Sequence, residues 1–358
     1  MASVKRLDRW LNSIPIWFYT VLVTVTIIVK SGLSFAALNI DTFQNFPYPP
    51  DHWSALSYGM RLLVYGTGQK ETLTFGVVGF LLTIVVIVLI AYSGWRSVDA
   101  VAGRLIILLA IVSPIGMVLF NRLGQNDVFM ILGATVIAFF GPKIIPFLVG
   151  LLLMFLGNPE QTIVALVTVL VLSFIPELRA WRRLAIAGIL VGISAFIVLS
   201  VFARSVGSRN RIEYLPDYLS NSFYAFAANL PLSFYAFFGA FWLVLAGIIL
   251  HFSRNSRIFL ISGLIVIPIF VTMITVDQTR VFVGVTTLSV FILLKTYVPE
   301  LKKYFDARGF EPLLGATFLV VVFLPIIDIW GTSGHARTPY LWFFQYVVPQ
   351  VKIWILGY

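Results

Sequence analysis

Apolar positions in this chain come in long uninterrupted runs instead of alternating with polar ones. Val, Ile, Leu and Phe dominate Ile16–Val29, Phe75–Tyr92, Leu105–Phe120, Val128–Phe140, Ile144–Leu156, Thr162–Ile175, Leu184–Val201, Leu232–Leu250, Ile258–Thr275, Val281–Leu294 and Leu313–Ile329. Runs of this kind predict helices that are apolar on every side, which are stable only where the surroundings are also apolar. A helix crossing bilayer hydrocarbon needs roughly 20 residues, so the pattern predicts an all-α polytopic transmembrane bundle of about 11 spans (10–12). The runs at Val128–Phe140 and Ile144–Leu156 are short and read as half-helices or a re-entrant pair. Pro339–Tyr358 is interrupted by Gln345, Pro349, Gln350 and Lys352, and reads as an interfacial helix or a twelfth span. The whole chain, 1–358, is then one integral membrane domain. It has a long extracytoplasmic loop at 31–74, a second at 203–232, and an extracytoplasmic or interfacial C-terminal segment at 330–358.

Composition sharpens this picture. The 358 residues are 59% hydrophobic and only 11% charged, with a mean hydropathy of +0.97. Soluble domains carry about a quarter charged residues, so an ordinary globular enzyme is excluded. The absence of cysteine rules out disulfides, thiol catalysis and thiolate metal sites. A net charge of +10 suggests nucleic acid until its distribution is followed. With the N-terminus in the cytoplasm, alternate loops on that side hold 15 of the 25 Lys and Arg but 6 of the 15 acids. The basic excess is therefore explained by the positive-inside rule, and nucleic acid is not a partner. Ser34-Phe35-Ala36 would pass as a signal-peptidase site, but the first run is read as a retained anchor. Short loops and the lack of cysteine favour a bacterial cytoplasmic (inner) membrane.

The opposite face differs in kind. Its loops hold Asp41 and Asp51 with Tyr48-Pro49-Pro50, then Asn121 through Asp127, Gly157 through Gln161, and Arg204, Arg209, Arg211, Glu213 and Asp217. They continue with Asp277 through Arg280, and Asp328 through Arg337 with His335. Asp127 immediately precedes an apolar run, so it either caps that helix or serves a site. Asn158-Pro159-Glu160 reads first as a helix start, with cap, proline and acid in sequence. Asp277 and Arg280 are three apart, which places them on one helical face. An arginine in a helix's first turn opposes the macrodipole, so Arg280 is the stronger functional candidate of the two. Arg204, Arg209 and Arg211 read either as a solvated cluster near Glu213 or as a diphosphate clamp. A loop of more than 40 residues around Asp41 and Asp51 is uncommon unless it binds something. His52 and His335 have no metal-ligand spacing.

A lipid-bounded outer site suits a substrate with a lipid tail and an anionic polar head. A carboxylate there can deprotonate an acceptor hydroxyl as it attacks an anomeric carbon. Cations, or a divalent ion such as Mg2+ or Mn2+, would stabilise the leaving phosphate. The long acidic first outer loop (Asp41, Asp51, Tyr48-Pro49-Pro50), followed by Gly124-Gln125-Asn126-Asp127 opening a helix, resembles the GT-C superfamily of polytopic glycosyltransferases. These use polyprenyl-phosphate sugars. The resemblance implies a GT-C-like fold and inverting transfer from a polyprenyl-linked sugar donor to a glycan or glycolipid acceptor. It makes Asp51, ahead of Asp41, the general base, and Asp127 a second acid that orients the acceptor or a metal.

Asp277–Arg280 resembles a late outer Asp-x-x-Arg of bacterial glycan-assembly membrane proteins, polymerases among them, which implies a phosphate-binding Arg280. Candidate substrate-binding residues are thus Arg280, Asp277, Gln125, Arg204, Arg211, Glu160 and His335. The chain departs from the GT-C pattern in lacking an Asp-x-Asp pair, a Trp-Trp-Asp signature and a large soluble C-terminal domain. No cofactor is therefore fixed, and a divalent ion at Asp127 is the one metal candidate. An O-antigen or exopolysaccharide polymerase or ligase, relying on outer arginines, is the alternative within the pathway. A lipid-linked sugar flippase or transporter is the alternative of another class. The lack of an internal repeat, and span interiors with few polar groups beyond Ser and Thr, weigh against it.

Overall fold

The computed structural model describes residues 2–34, 57–66, 72–205, 211–251, 254–275 and 277–329. Among them every regular element is helical. In chain order these are α1 (Ala2–Ser13), α2 (Ile16–Ser31), α3 (Gly59–Gly66), α4 (Thr72–Trp95), α5 (Ala100–Ile111) and α6 (Pro114–Asn121). Next come α7 (Asp127–Phe140), α8 (Ile144–Gly157), α9 (Pro159–Leu172), α10 (Arg182–Ser205), α11 (Arg211–Ala228) and α12 (Leu230–Phe238). The last are α13 (Phe241–His251), α14 (Arg254–Ile261), α15 (Ile267–Met273), α16 (Gln278–Asp306) and α17 (Leu313–Phe323).

By length and composition, 4 helical stretches could cross a membrane, or up to 6 if each of two bent pairs is one span. The chain is a helical membrane protein by that measure. Several runs expected as continuous spans are broken, each for a local reason. Leu105–Phe120 is α5 and α6 bent by 52°, because Ser113 leaves the helix and caps α6, with Pro114 at its first position. Leu232–Leu250 is α12 and α13 bent by 82° at Gly239, whose φ of +52° only glycine adopts easily. Ile258–Thr275 stays helical but passes through a π turn at Ser262–Val266, just before Pro268, which cannot donate to the ladder. Leu313–Ile329 is helical only to Phe323. Pro325 disfavours helix at Leu324, which is extended, and the chain continues without regular secondary structure to Ile329. Ile326, Ile327, Asp328 and Ile329 are all buried, so this non-helical backbone is shielded by protein. The 203–232 stretch, expected as a loop, is largely helix α11.

The helix α16 is the axis of the bundle: 89% of its apolar window lies inside the structure, against 17% for the stretch containing α10. Helices α5, α7 and α9 pack around it. Glycines permit the closest approaches. A Cβ on Gly133 of α7 would sit 2.3 Å from the Gly150 carbonyl oxygen of α8, and one on Gly150 would sit 2.6 Å from the Gly133 oxygen. Backbone-to-backbone packing of this kind is the usual means of joining helices where no hydrophobic effect drives them together.

The amphipathic α1 and the apolar α2 hold α17 at both ends. The Asp8 carboxylate accepts from the Gly315 amide at 2.8 Å, supplying from a distant helix the cap that Pro312 cannot. Lys30, on α2, donates to the carbonyls of Val321 and of Leu324, the latter at 2.6 Å, at the other terminus. Acid at the N-terminus and cation at the C-terminus is the arrangement the helix dipole favours.

Candidate functional site

One end of the bundle gathers the termini of α2, α6, α7, α9, α16 and the non-helical segment after α17. The turn between α6 and α7 fits there because two glycines face each other. A Cβ on Gly79 of α4 would lie 2.4 Å from the Gly124 amide nitrogen, and Gly124 itself has φ of +90°. Backbone bonds from Ser34 to Phe120 (3.1 Å) and from Leu123 to Ser34 (3.3 Å) tie the turn to the end of α2. Asn126 precedes α7 without capping it, and its Oδ1 accepts instead from the Met60 amide at 2.8 Å.

Asp127 is therefore the first residue of α7 and is free to face across the bundle. Arg280 Nε donates to its Oδ1 and Oδ2 at 2.8 and 2.9 Å, joining positions 153 residues apart. The capping reading of Asp127 gives way to this ion pair. Arg280 Nη1 also donates to Asp277 Oδ2 at 3.1 Å, the contact their spacing predicts, and Asp277 makes no side-chain cap bond. A second arginine completes the group. Arg122, at the C-terminal cap of α6, places Nη2 3.4 Å from Asp328 Oδ2 and 4.0 Å from Asp277 Oδ1. Two guanidinium groups thus share three carboxylates, and all five side chains are at least three-quarters buried. Breaking a buried pair of this kind strands a charge, a cost of about 3–5 kcal/mol. The two arginines differ in commitment. Arg280 is held by three short contacts, whereas Arg122 makes a single bond at 3.4 Å among the described residues.

Four buried amides adjoin the ion group along the chain (Asn121, Gln125 and Gln278) or meet α16 one turn beyond Arg280 (Gln161), and keep hydrogen-bonding capacity unused among the described residues at Asn121 Nδ2, Gln125 Oε1, Gln161 Oε1 and Gln278 Nε2. Each parent side chain is more than nine-tenths buried. An unmet polar group in such a place costs about 1–3 kcal/mol. Gln161 reaches the end of α16, where a Cβ on Gly284 would lie 2.1 Å from its Oε1. Gln278 Oε1 accepts from Ser233 Oγ at 2.7 Å, leaving its amino group over. Two donors and two acceptors of neutral character are suited to hydroxyl groups more than to a metal. Among the described residues no group of three or more His, Cys, Asp or Glu side chains is placed to hold a metal ion.

Comparison of the chain with models of known protein families, with curated proteins and with solved structures gives no match.

The structure brings together Asp127, Asp277, Arg280 and Gln125 of the residues expected from the sequence. Glu160 stands in the first turn of α9, behind the cap that Asn158 Oδ1 gives the Gln161 amide at 3.1 Å, as a helix start predicts. Arg204 is exposed near the end of α10, about three turns beyond the contact of Gly192 with Phe155 and Ile163, and stands outside the five-residue ion group. Asp41, Asp51, His335 and the side chain of Arg211 lie outside the described residues. Arg122, Asp328, Asn121, Gln161 and Gln278 are additions. Arg122 and Asp328 sit in polar turns beside apolar runs, the position that already marks Asp127 and Asp277, and that signal applies to them equally.

Proposed function

We propose that this chain is a multi-pass membrane glycosyltransferase of GT-C type. It would transfer a sugar, with inversion, from a polyprenyl-linked donor to a glycan or glycolipid acceptor at the extracytoplasmic face of the cell inner membrane. The observation that carries the reading is the convergence of Asp127, Asp277, Arg280, Arg122 and Asp328 on one end of the bundle, on helix ends that also carry buried amides with open hydrogen-bonding capacity. Charged groups are costly at the edge of a hydrocarbon layer, and their collection there points to function. In this reading the arginines meet the donor's phosphate, and the amides meet sugar hydroxyls. Asp127 spends both oxygens on Arg280 and positions it, which leaves the general-base role to Asp51 or Asp41 of the first loop. With the N-terminus in the cytoplasm the ion group faces outward. The 11-span count belongs to the same proposal. Helix α17, 11 residues and roughly 17 Å long, would need the non-helical Leu324–Ile329 to complete its crossing of a hydrocarbon core of about 30 Å. The 14-residue α7 and α8 would form a hairpin that does not fully cross.

The test is transfer by the purified protein in proteoliposomes, offered a panel of polyprenyl-phosphate and polyprenyl-diphosphate sugars. A covalent glycosylated product is expected by mass spectrometry. Asp51→Asn should abolish it in a protein that still inserts and folds, and activity surviving in both the Asp51 and Asp41 variants removes the proposed base. A polymerase or ligase is the second reading, favoured by the lightly committed Arg122. It predicts loss on substituting Arg122, Arg280, Arg204, Arg209 or Arg211, with indifference at Asp51. Uptake of solute into sealed vesicles without a covalent product would instead identify a transporter or flippase.

A further inference from the structure

The basic end of the bundle carries a second feature, unrelated to glycosyl transfer. Helix α1 turns its one acid inward: Asp8 is spent on the Gly315 amide and on Asn12 Nδ2, at 2.8 and 3.0 Å. Leu11 is fully buried beneath it, and Gly315 leaves no room for a Cβ against the backbone of Val4 and Asp8. The helix is therefore pinned, and its other face is free to work. That face presents Lys5, Arg6, Arg9 and Trp10, with Trp17 and Phe18 exposed just beyond it at the start of α2.

Nearby acids are already matched. Glu311 pairs with Lys5 at 3.0 Å, Glu300 with Lys303 at 3.0 Å, and Asp306 and Asp99 with Lys302. Arg6 and Arg9 have no carboxylate within ion-pair distance among the described residues, and Arg9 Nε reaches only the Lys5 carbonyl, at 3.4 Å. Ser3, Arg6, Leu7 and Trp10 line a shallow cleft of about 380 Å³. These four stand at positions i, i+3, i+4 and i+7 of one helix, so a hydroxyl, a guanidinium and an indole share a single stripe, on a helix joined by a two-residue break to an apolar one. The stripe combines attraction for phosphate with a ring suited to the headgroup layer.

We propose that this face of α1 binds the headgroup phosphate of an anionic phospholipid, with Arg6 and Arg9 as the cations and Trp10 as the interfacial wedge. The inference requires the chain to lie in a bilayer but is independent of its chemistry. Full-length protein in neutral detergent should show a rise in thermal midpoint with phosphatidylglycerol, but not with phosphatidylcholine or inorganic phosphate. Arg6→Gln with Arg9→Gln should leave the lipid-free midpoint in place and weaken phosphatidylglycerol binding roughly ten- to thirtyfold, as two surface cations imply. Raising salt should remove the increment in the unaltered protein, which tests the idea even where the double variant folds poorly. An equal effect of phosphatidylcholine, an equal effect of free phosphate, persistence in high salt, or full binding by the double variant each overturns the lipid site.

Discussion

The two ends of α16 carry the same kinds of residue to opposite effect. At its start, Arg280 reaches Asp127 from 153 residues away, and the group it joins is largely buried. At its finish, Lys303 pairs with Glu300 three residues back, with side chains 72% and 52% exposed. Exposed neighbours of that sort contribute about 0–1 kcal/mol. A buried group fixes where separate helices sit, whereas an exposed pair decorates a helix that would form without it. Charge content alone therefore says little, and sequence separation and burial decide which end can be a site.

The comparison breaks most directly at Arg280. Arg280→Met leaves Asp127 and Asp277 without their shared cation, and should cost about 3–5 kcal/mol. Thermal unfolding of the detergent-solubilised protein measures it. Adding Asp127→Asn to that variant should recover part of the loss, because a neutral amide is cheaper to strand than a carboxylate. Additive losses would mean that the two residues do not act as a unit. Substituting Lys303 by Met at the far end should change the midpoint hardly at all.

This contrast also explains what was legible beforehand. The Asp277–Arg280 contact follows from a spacing of three and needs no tertiary knowledge. The partner Asp127 could be nominated by its place before an apolar run, but its role could not, because capping and cross-bundle pairing share that local sequence. Nothing in the sequence links Arg122 to Asp328, which are 206 positions apart. Helix locations followed from the apolar runs, yet their continuity did not. Ser113-Pro114, Gly239 and Pro325 each break a run whose hydropathy is unbroken. Hydropathy reports the solvent a segment prefers and is blind to the direction the chain takes inside it.

A smaller effect is expected at Lys30, which supports the site from a distance. Lys30→Met removes two charge-assisted bonds to the Val321 and Leu324 carbonyls, worth about 2–3 kcal/mol in sum after repacking of the stem. It should also loosen the non-helical segment that brings Asp328 to Arg122, measurable as faster amide exchange at Ile329, whose N–H donates to Thr279 Oγ1 at 2.9 Å. A lower midpoint with unchanged exchange there would detach Asp328 from this support.

Gly133→Ala probes the scaffold under Asp127. The added Cβ meets the Gly150 backbone, which cannot swing aside, so α7 and α8 must separate at a cost of about 1–3 kcal/mol. If the placement of α7 sets the Arg280 contact, the coupling between Asp127 and Arg280 measured in a double-mutant cycle should shrink in this background. Unchanged coupling would show that the ion pair follows α7 as it moves.

A small effect belongs to Asp99 at the Lys302 end, and its sign can be worked out. Burial pushes this carboxyl up, but the Ala102 amide and Lys302 outweigh it and hold the group below its ordinary value. A carboxylate with a lowered folded value contributes stability that is full above the unfolded value of about 4 and fades as pH falls through the folded one. Asn is as good a cap as Asp, so Asp99→Asn should keep the bond to Ala102, made at 2.9 Å, and lose only the charge. With the side chain 38% exposed, solvent screening limits that difference to a few tenths of a kcal/mol, about the worth of an exposed pair. Midpoints of the two proteins should differ slightly at pH 7 and converge as pH falls below the lowered folded value of Asp99. A gap that stays open in acid would mean that the amide disturbs the cap itself, and that this end of the bundle depends on Asp99 for shape and not for charge.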